Sequence, residues 1–336
     1  MKNTAIIVPN WNGKENLGAC LDSLLCQSVN CTIIVVENAS TDGSLEYIKK
    51  NYPAVELVVN KKNLGFAGGV NSGIRRALEL KCDAVALFNN DAVADKEWLK
   101  TLFLKLKSED RLGIVTGKLV EANEFKLDST GDQYTVWGLP FPRGRGEKNT
   151  FKYDKDAEIL GASGGASLYR VSMLKEIGLF DEDFFAYYED VDISFRAQLA
   201  GWKILYEPSA VAYHEIGATS SKIPGFTTYQ TIKNLPWLFW KNVPRKYLFS
   251  VGIRFYLAYF SFVLSAISRG QFMPVIKGLF VSVIFMPKKL IQRHKIQSSA
   301  KVSPEYIWSI MTHDLPPNAI KLRKIRSIYH KLIKKV

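Results

Sequence analysis

The chain has 336 residues, 47% hydrophobic and 23% charged, with 23 Gly and 13 Pro. These proportions exclude a disordered, collagen-like or low-complexity chain, and the length suits about two domains. The net charge of +13 hides two unlike halves: residues 224–336 hold 19 Lys and Arg against Glu305 and Asp314, whereas residues 1–223 hold 26 basic and 30 acidic side chains. A back half this basic calls for a polyanionic partner, nucleic acid or an anionic membrane surface.

Four cysteines, Cys20, Cys26, Cys31 and Cys82, form no CxxC pair and no zinc-ligand spacing with histidine, so free, reduced thiols are expected. Lys2 precedes an apolar run, Ala5 to Val8, that meets Pro9 too soon for a secretory signal, which places the catalytic part in the cytoplasm.

Four short apolar runs follow one another: Ala5–Val8, Thr32–Val36, Val55–Val59 and Ala84–Phe88. Runs without alternation suit strands covered on both faces. Helical patterns lie near 14–26, 43–51, 68–80 and 95–108. Strand–helix alternation predicts an α/β fold with an open, doubly wound sheet, whose ligands bind at the carboxyl ends of the strands. The clusters Asn10-Trp11-Asn12, Glu37-Asn38 and Asn89-Asn90-Asp91 each follow a strand and are expected to meet at one edge.

Residues 137–156, polar and carrying Arg143 and Arg145, read as a mobile loop or lid. Gly161 to Ala166 is backbone with little side chain, suited to close approach. From about Glu189 to Ala200, Val191, Phe195 and Leu199 share a helical face, and Gly201 stops the helix. Glu189, Asp190 and Asp192 thus fall in a first turn, where the helix dipole favours negative charge.

Five segments in this order, Ile6–Asn12, Val35–Ser44, Asn63–Asn71, Asn89–Asp91 and Tyr188–Asp192, resemble a family 2 glycosyltransferase of the GT-A fold, within its rhamnosyltransferase-like group. The resemblance covers roughly residues 4–217. It implies a GT-A domain over 1–222 and an inverting transfer of one sugar, such as rhamnose from dTDP-rhamnose, from a nucleotide-sugar donor to a lipid-linked or cell-surface glycan acceptor. Carried onto this chain, it places Pro9, Asn10, Trp11, Glu37, Asn38, Gly65, Asn71, Asn89, Asn90 and Asp91 at the donor and Gly164, Gly165 and Glu189 at the acceptor. It makes Asp190 the catalytic base, which takes the proton from the attacking hydroxyl. Asn89-Asn90-Asp91 stands where the family has its DxD motif, so Asp91, with His214, would ligate Mg²⁺ or Mn²⁺. Two departures, Glu37 for the usual Asp and Asn89 for the first Asp of DxD, keep open a non-catalytic sugar-nucleotide-binding protein on the same fold. A QxxRW motif, the mark of processive synthases, is absent from the sequence.

Residues 223–336 contain no motif of the family. Pro236 to Lys241 mixes aromatic and basic residues, and the 14 uncharged residues 255–268 are bracketed by Arg254 and Arg269. A spanning helix needs about 20 apolar residues. The expectation is a helical region lying on the cytoplasmic face of a membrane, its basic side, including Lys288, Lys289, Arg293 and Lys295, on anionic lipid. No nucleic-acid-binding motif is present, and no nucleic-acid partner is expected.

Overall fold

The computed structural model describes residues 3–122, 126–215 and 223–316, together with Ala319 and Arg323. The front half opens as expected, with β1 (Thr4–Asn10), α1 (Lys14–Leu25), β2 (Thr32–Glu37), α2 (Ser44–Asn51), β3 (Glu56–Val59), α3 (Gly65–Glu79) and β4 (Ala84–Phe88). Strand β1 pairs in parallel with β2 and β4, and β2 with β3. Alternate residues of each strand enter different cores. Ile6, Val8 and Val35 pack with Leu17, Leu21, Trp98 and Leu102 on one face. Ile7, Ile34 and Val36 pack with Val70, Ile74, Met173 and Ile193 on the other. Cover on both faces is why these strands read as unbroken apolar runs.

The sheet is mixed rather than purely parallel. After β5 (Ala92–Ala94) and α4 (Trp98–Lys107) come β6 (Leu112–Glu121), β7 (Leu127–Ser129), β8 (Asp132–Tyr134), β9 (Pro140–Pro142), β10 (Ala157–Glu158), β11 (Ala166–Arg170), α5 (Val171–Ile177), α6 (Glu189–Leu199) and β12 (Lys203–His214). The strand order is β10-β12-β6-β11-β4-β1-β2-β3. Strand β11 starts at the edge where β4 ends, with Asn89 N donating to Gly165 O at 2.9 Å, and so runs antiparallel between β4 and β6.

Residues 137–156 differ from the expected mobile loop. Backbone hydrogen bonds pair Arg143 with Gly131 and Thr130 (2.8 and 2.9 Å) and Gly146 with Leu127 (2.8 Å), and β8 pairs with β9. The polar composition serves this fastening, since Arg143 and Arg145 bond Thr130 and Asp128.

The back half forms α7 (Phe226–Asn242), α8 (Leu248–Ser268), α9 (Phe272–Ser298) and α10 (Pro304–Ile310). A third core joins Trp237, Phe239, Phe255 and Val275 to Phe184, Val191, Phe195 and Leu199 of the front half. Beside it lies a buried ion cluster. Lys241 meets Asp181 at 2.6 Å and Asp192 at 2.9 Å, and Lys289 meets Asp181 at 2.8 Å and Asp183 at 2.7 Å. The expected basic lipid-facing side is corrected for two of its four cations. Lys289 is fully buried and Arg293, half-buried, bonds the carbonyls of Trp240 and Val243, whereas Lys288, although it bonds Asp183, and Lys295 stay exposed. Buried carboxylates must be compensated, so Lys241 and Lys289 turn inward.

Candidate functional site

The three polar clusters meet at the carboxyl edge of the sheet and are wired together. Asn10 donates to Glu37 Oε2 at 2.8 Å, Asn90 donates to Asn10 Oδ1 at 2.7 Å, and Asn38 N donates to Asn10 O at 2.8 Å. Asn10, Glu37 and Asn38 are buried. Their polar atoms are spent on one another and on neighbouring backbone: Glu37 Oε1 accepts from Ser40 N, while Asn38 bonds Asn60, Asn63, Leu64 and Gly65. They form the floor of the edge. Asn71 is also enclosed, its amide bonded to Phe180 and Glu182. Trp11 and Pro9 are half-buried at the end of β1, and Asn89 and Asp91 are half-buried after β4.

Gly164 and Gly165 tie two sides of the site together. Gly165 O accepts from Asn89 N, and Gly164 N donates to Asp190 Oδ2 at 3.1 Å. A Cβ on Gly164 would sit 3.1 Å from the Phe66 ring and 3.6 Å from Asp190 Cβ, and one on Gly165 would lie 3.2 Å from the Asn89 amide. Two residues of nearly bare backbone thus hold Asn89–Asp91 and Asp190 at one edge, although 99 positions separate the two aspartates.

Asp190 is half-buried, its second oxygen accepting from Val191 N at 2.8 Å. Burial raises its pKa above the usual carboxylate range, against the opposing pull of the Gly164 and Val191 N–H groups. Glu189 is buried with Oε2 lacking a partner among the described residues, and burial plus the Asp190 charge pushes its pKa well up. Asp132, absent from the sequence-based candidates, is raised by burial and by Asp190. Together they make a low-dielectric carboxylate pocket at the start of α6.

On the other side, His214 Nε2 lies 3.0 Å from Asp91 Oδ1 and 3.2 Å from the Asn89 amide. Its Nδ1 lies 2.8 Å from Asp128 Oδ2. Burial opposes the imidazolium, but the bonds to Asp128 and Asp91 outweigh it and hold the pKa up at about 9. Burial likewise opposes the Asp128 carboxylate, and His214 with Arg145 outweighs that and keeps it low. Among the described residues, no three His, Cys, Asp or Glu side chains converge to cage a cation. Asp91 with His214 is a two-ligand oxygen–nitrogen set. Once His214 gives up its Nε2 proton, as metal ligation requires, the set fits a hard divalent ion which takes its remaining ligands from a donor's phosphates. Asp128 is the residue the sequence concealed, a lone Asp in a short strand. It stands behind His214, bonded to Nδ1, where a carboxylate would orient the imidazole if Nε2 took a metal. Asp128→Asn is expected to weaken Mn²⁺ binding about 10- to 100-fold by titration calorimetry. Unchanged affinity would remove Asp128 from that role.

A parallel half-sheet ending in an amide–carboxylate cluster, with a carboxylate at a helix start on the same edge, is the arrangement of a GT-A type of fold. The chain belongs to glycosyl transferase family 2, whose profile matches residues 5–178, and is a glycosyltransferase. It is similar to the N-acetylglucosaminyl-diphospho-decaprenol L-rhamnosyltransferase of Mycobacterium tuberculosis, 27% identical over 214 residues that cover 57% of this chain and 69% of that one. It is also similar to the poly-beta-1,6-N-acetyl-D-glucosamine synthase of Staphylococcus epidermidis, 25% identical over 230 residues that cover 63% of this chain and 50% of the other. Among solved structures, Staphylococcus aureus TarS 1–349 in complex with UDP-GlcNAc matches with a TM-score of 0.55 at 17% identity, over 88% of this chain and 91% of that one. A Pyrobaculum calidifontis mannosyltransferase in complex with GDP-Man and Mn²⁺ matches with a TM-score of 0.53 at 14% identity, over 91% and 87%.

Proposed function

We propose that the protein transfers one sugar, rhamnose from dTDP-rhamnose being the first candidate, from a nucleotide donor to a lipid-linked glycan acceptor, with inversion at the anomeric carbon. The observation that carries this reading is that the adjacent residues Gly164 and Gly165 bond Asp190 on one side and Asn89, two residues before Asp91, on the other. Trp11 stacks on the nucleobase, over the floor built by Asn10, Glu37 and Asn38. Asp91 and His214 hold Mg²⁺ or Mn²⁺, which when bound offsets the charge of the departing diphosphate. Asp190 accepts the proton of the acceptor hydroxyl as its oxygen bonds the anomeric carbon from the face opposite the nucleoside diphosphate. One displacement inverts the centre, and Glu189, Gly164 and Gly165 line the acceptor side.

The α8–α9 hairpin supports a membrane-held acceptor. Phe249, Leu257 and Leu264 of α8 and Met273, Phe280 and Val283 of α9 are exposed, Phe249 by 80% and Val283 by 71%. The sequence has no Asp or Glu from 216 to 304. An apolar face without acidic residues suits an anionic leaflet. Arg245–Ser268 is long and apolar enough to cross a bilayer by length and composition. Its inner side, however, is fixed to α7: Phe255 stacks on Phe239 at 4.8 Å, and Tyr259 donates to Ile232 O at 2.8 Å. The hairpin therefore lies in the plane of one leaflet.

The test is transfer from a panel of nucleotide sugars to a polyprenyl-diphosphate-linked sugar in vesicles with and without anionic lipid. Expected is donor-selective product, and sedimentation of the enzyme with anionic vesicles that Leu257→Glu with Phe280→Glu abolishes. Product formed equally well from a water-soluble sugar, with no sedimentation, would sink the membrane half of the proposal. No transfer from any donor would sink the whole.

A further inference from the structure

We propose that Asn234 and Lys233 of α7 are positioning residues for Asp190, acting through the loop that leads into α6. The inference rests on the assignment of Asp190 as the base. That loop is strained: Phe185, Tyr187 and Tyr188 have φ of 64°, 70° and 73°. Bulky side chains disfavour this left-handed region, and such a run persists only where its surroundings over-determine it. Tyr188 is the N-cap of α6, and the next two residues are Glu189 and Asp190.

The over-determination comes from the back half. Asn234 Nδ2 donates to the carbonyls of Phe184, Ala186 and Tyr187 at 3.0, 2.9 and 2.9 Å, two N–H groups serving three acceptors. Lys233 Nζ adds the carbonyls of Asp183 and Phe184 at 3.1 and 3.2 Å. Four consecutive residues of the loop, Phe184 to Tyr187, are held at all but one of their carbonyls by these two side chains. The remaining one, Phe185 O, accepts from Ala67 N at 3.1 Å. There the fit is close. Gly65 has φ 70°, and a Cβ on it would come 2.3 Å from Phe185 O. Asn234 is fully buried, and its own Oδ1 has no partner among the described residues. An amide chosen only to fill a core would not leave a buried acceptor unmet. Its donors, not its acceptor, are what this position uses.

Helix α7 is itself fixed against the catalytic helix. Asn242 donates to Asp192 Oδ1 at 2.9 Å, and Lys241 bonds Asp192 Oδ2. The clamp and the base are thus parts of one rigid unit, α6 with α7. The back half completes the catalytic site in addition to any role at a membrane.

The test is a double-mutant cycle on the full chain. Asn234→Ala is expected to lower kcat about 10²-fold, the scale of a misplaced reacting group. The KM for donor and the nucleoside diphosphate–Mn²⁺ affinity should stay within about twofold, because that grip is built by β1, β2 and β4. In an Asp190→Asn background the same change should cost nothing further, since a residue acting through the base has no effect once the base is gone. Multiplicative losses in the double variant, or parent-like kcat in folded Asn234→Ala, would overturn the proposal. If Asn234→Ala does not fold, Lys233→Met is carried through the same cycle with the same outcomes. Parent-like transfer by Asp190→Asn alone would instead overturn the base assignment, a result separable from failure of the clamp.

Discussion

Asp190→Asn is expected to lower kcat by about 10²–10⁴-fold, the span that a positioned general base contributes, while donor binding persists. The substitution keeps the side chain's shape but leaves one oxygen where the Gly164 and Val191 N–H groups now meet two, so the loss reads proton transfer when the circular dichroism and donor affinity of the variant match the parent. A pH signature accompanies it. The base works deprotonated, and burial places Asp190 above the ordinary carboxylate range. Activity of the parent should therefore fall as pH drops through that raised value, at higher pH than an exposed Asp near 3.9 would give. The acid limb belongs to Asp190 together with its coupled neighbours Glu189 and Asp132. In Asp190→Asn it should vanish from the residual rate. Near-parental transfer by a folded Asp190→Asn protein would end the base assignment.

Removal of the divalent ion should have an effect of similar size. Chelation is expected to lower transfer by about 10³-fold, because charge stabilisation on the leaving diphosphate is worth several kcal/mol. Asp91→Asn should do the same at ordinary metal concentrations, since Asp91 supplies the only carboxylate of Asn89-Asn90-Asp91. Weak ion binding without donor is also expected, because among the described residues only Asp91 and His214 converge. Asn89→Asp, placing a second carboxylate beside His214, should strengthen Mn²⁺ binding in the absence of nucleotide. Titration calorimetry with and without nucleoside diphosphate reads both effects. Transfer indifferent to chelator would remove the metal from the proposed reaction.

Much of this architecture was legible from the sequence, for reasons that can be named. Strands β1, β2 and β4 are covered on both faces, so each appears as an unbroken apolar run, whereas β3, at the sheet's edge, is half-buried and includes Glu56; each is followed by the polar residues that the sheet edge needs. The helix from Glu189 announced itself by the spacing of Val191, Phe195 and Leu199, which pack into the third core. Strand β11 was less legible. Its five residues, Ala166–Arg170, carry no sign of direction, and its antiparallel course follows from where Gly165 meets Asn89. Asp128 was hidden for a different reason. A lone acid in a three-residue strand gains meaning only when His214, 86 positions away, arrives beside it. The direction of the back-half cations was the largest gap. Composition counts Lys241 and Lys289 as charge for a partner, whereas folding turns them toward Asp181, Asp183 and Asp192. Nothing local to Lys233-Asn234 marked them as a clamp, because the carbonyls they hold lie about 50 positions upstream.

The inward lysines also limit how this chain can change by recombination. A chimera joining its first half to the tail of a relative would strand Asp181 in an apolar interior, and leave Asp192 with Arg196 as its one remaining cation, unless the graft brought cations to the positions of Lys241 and Lys289. The two halves are matched like lock and wards, and exchange between relatives should succeed only at a crossover that keeps those acid–base partners on the same parental segment.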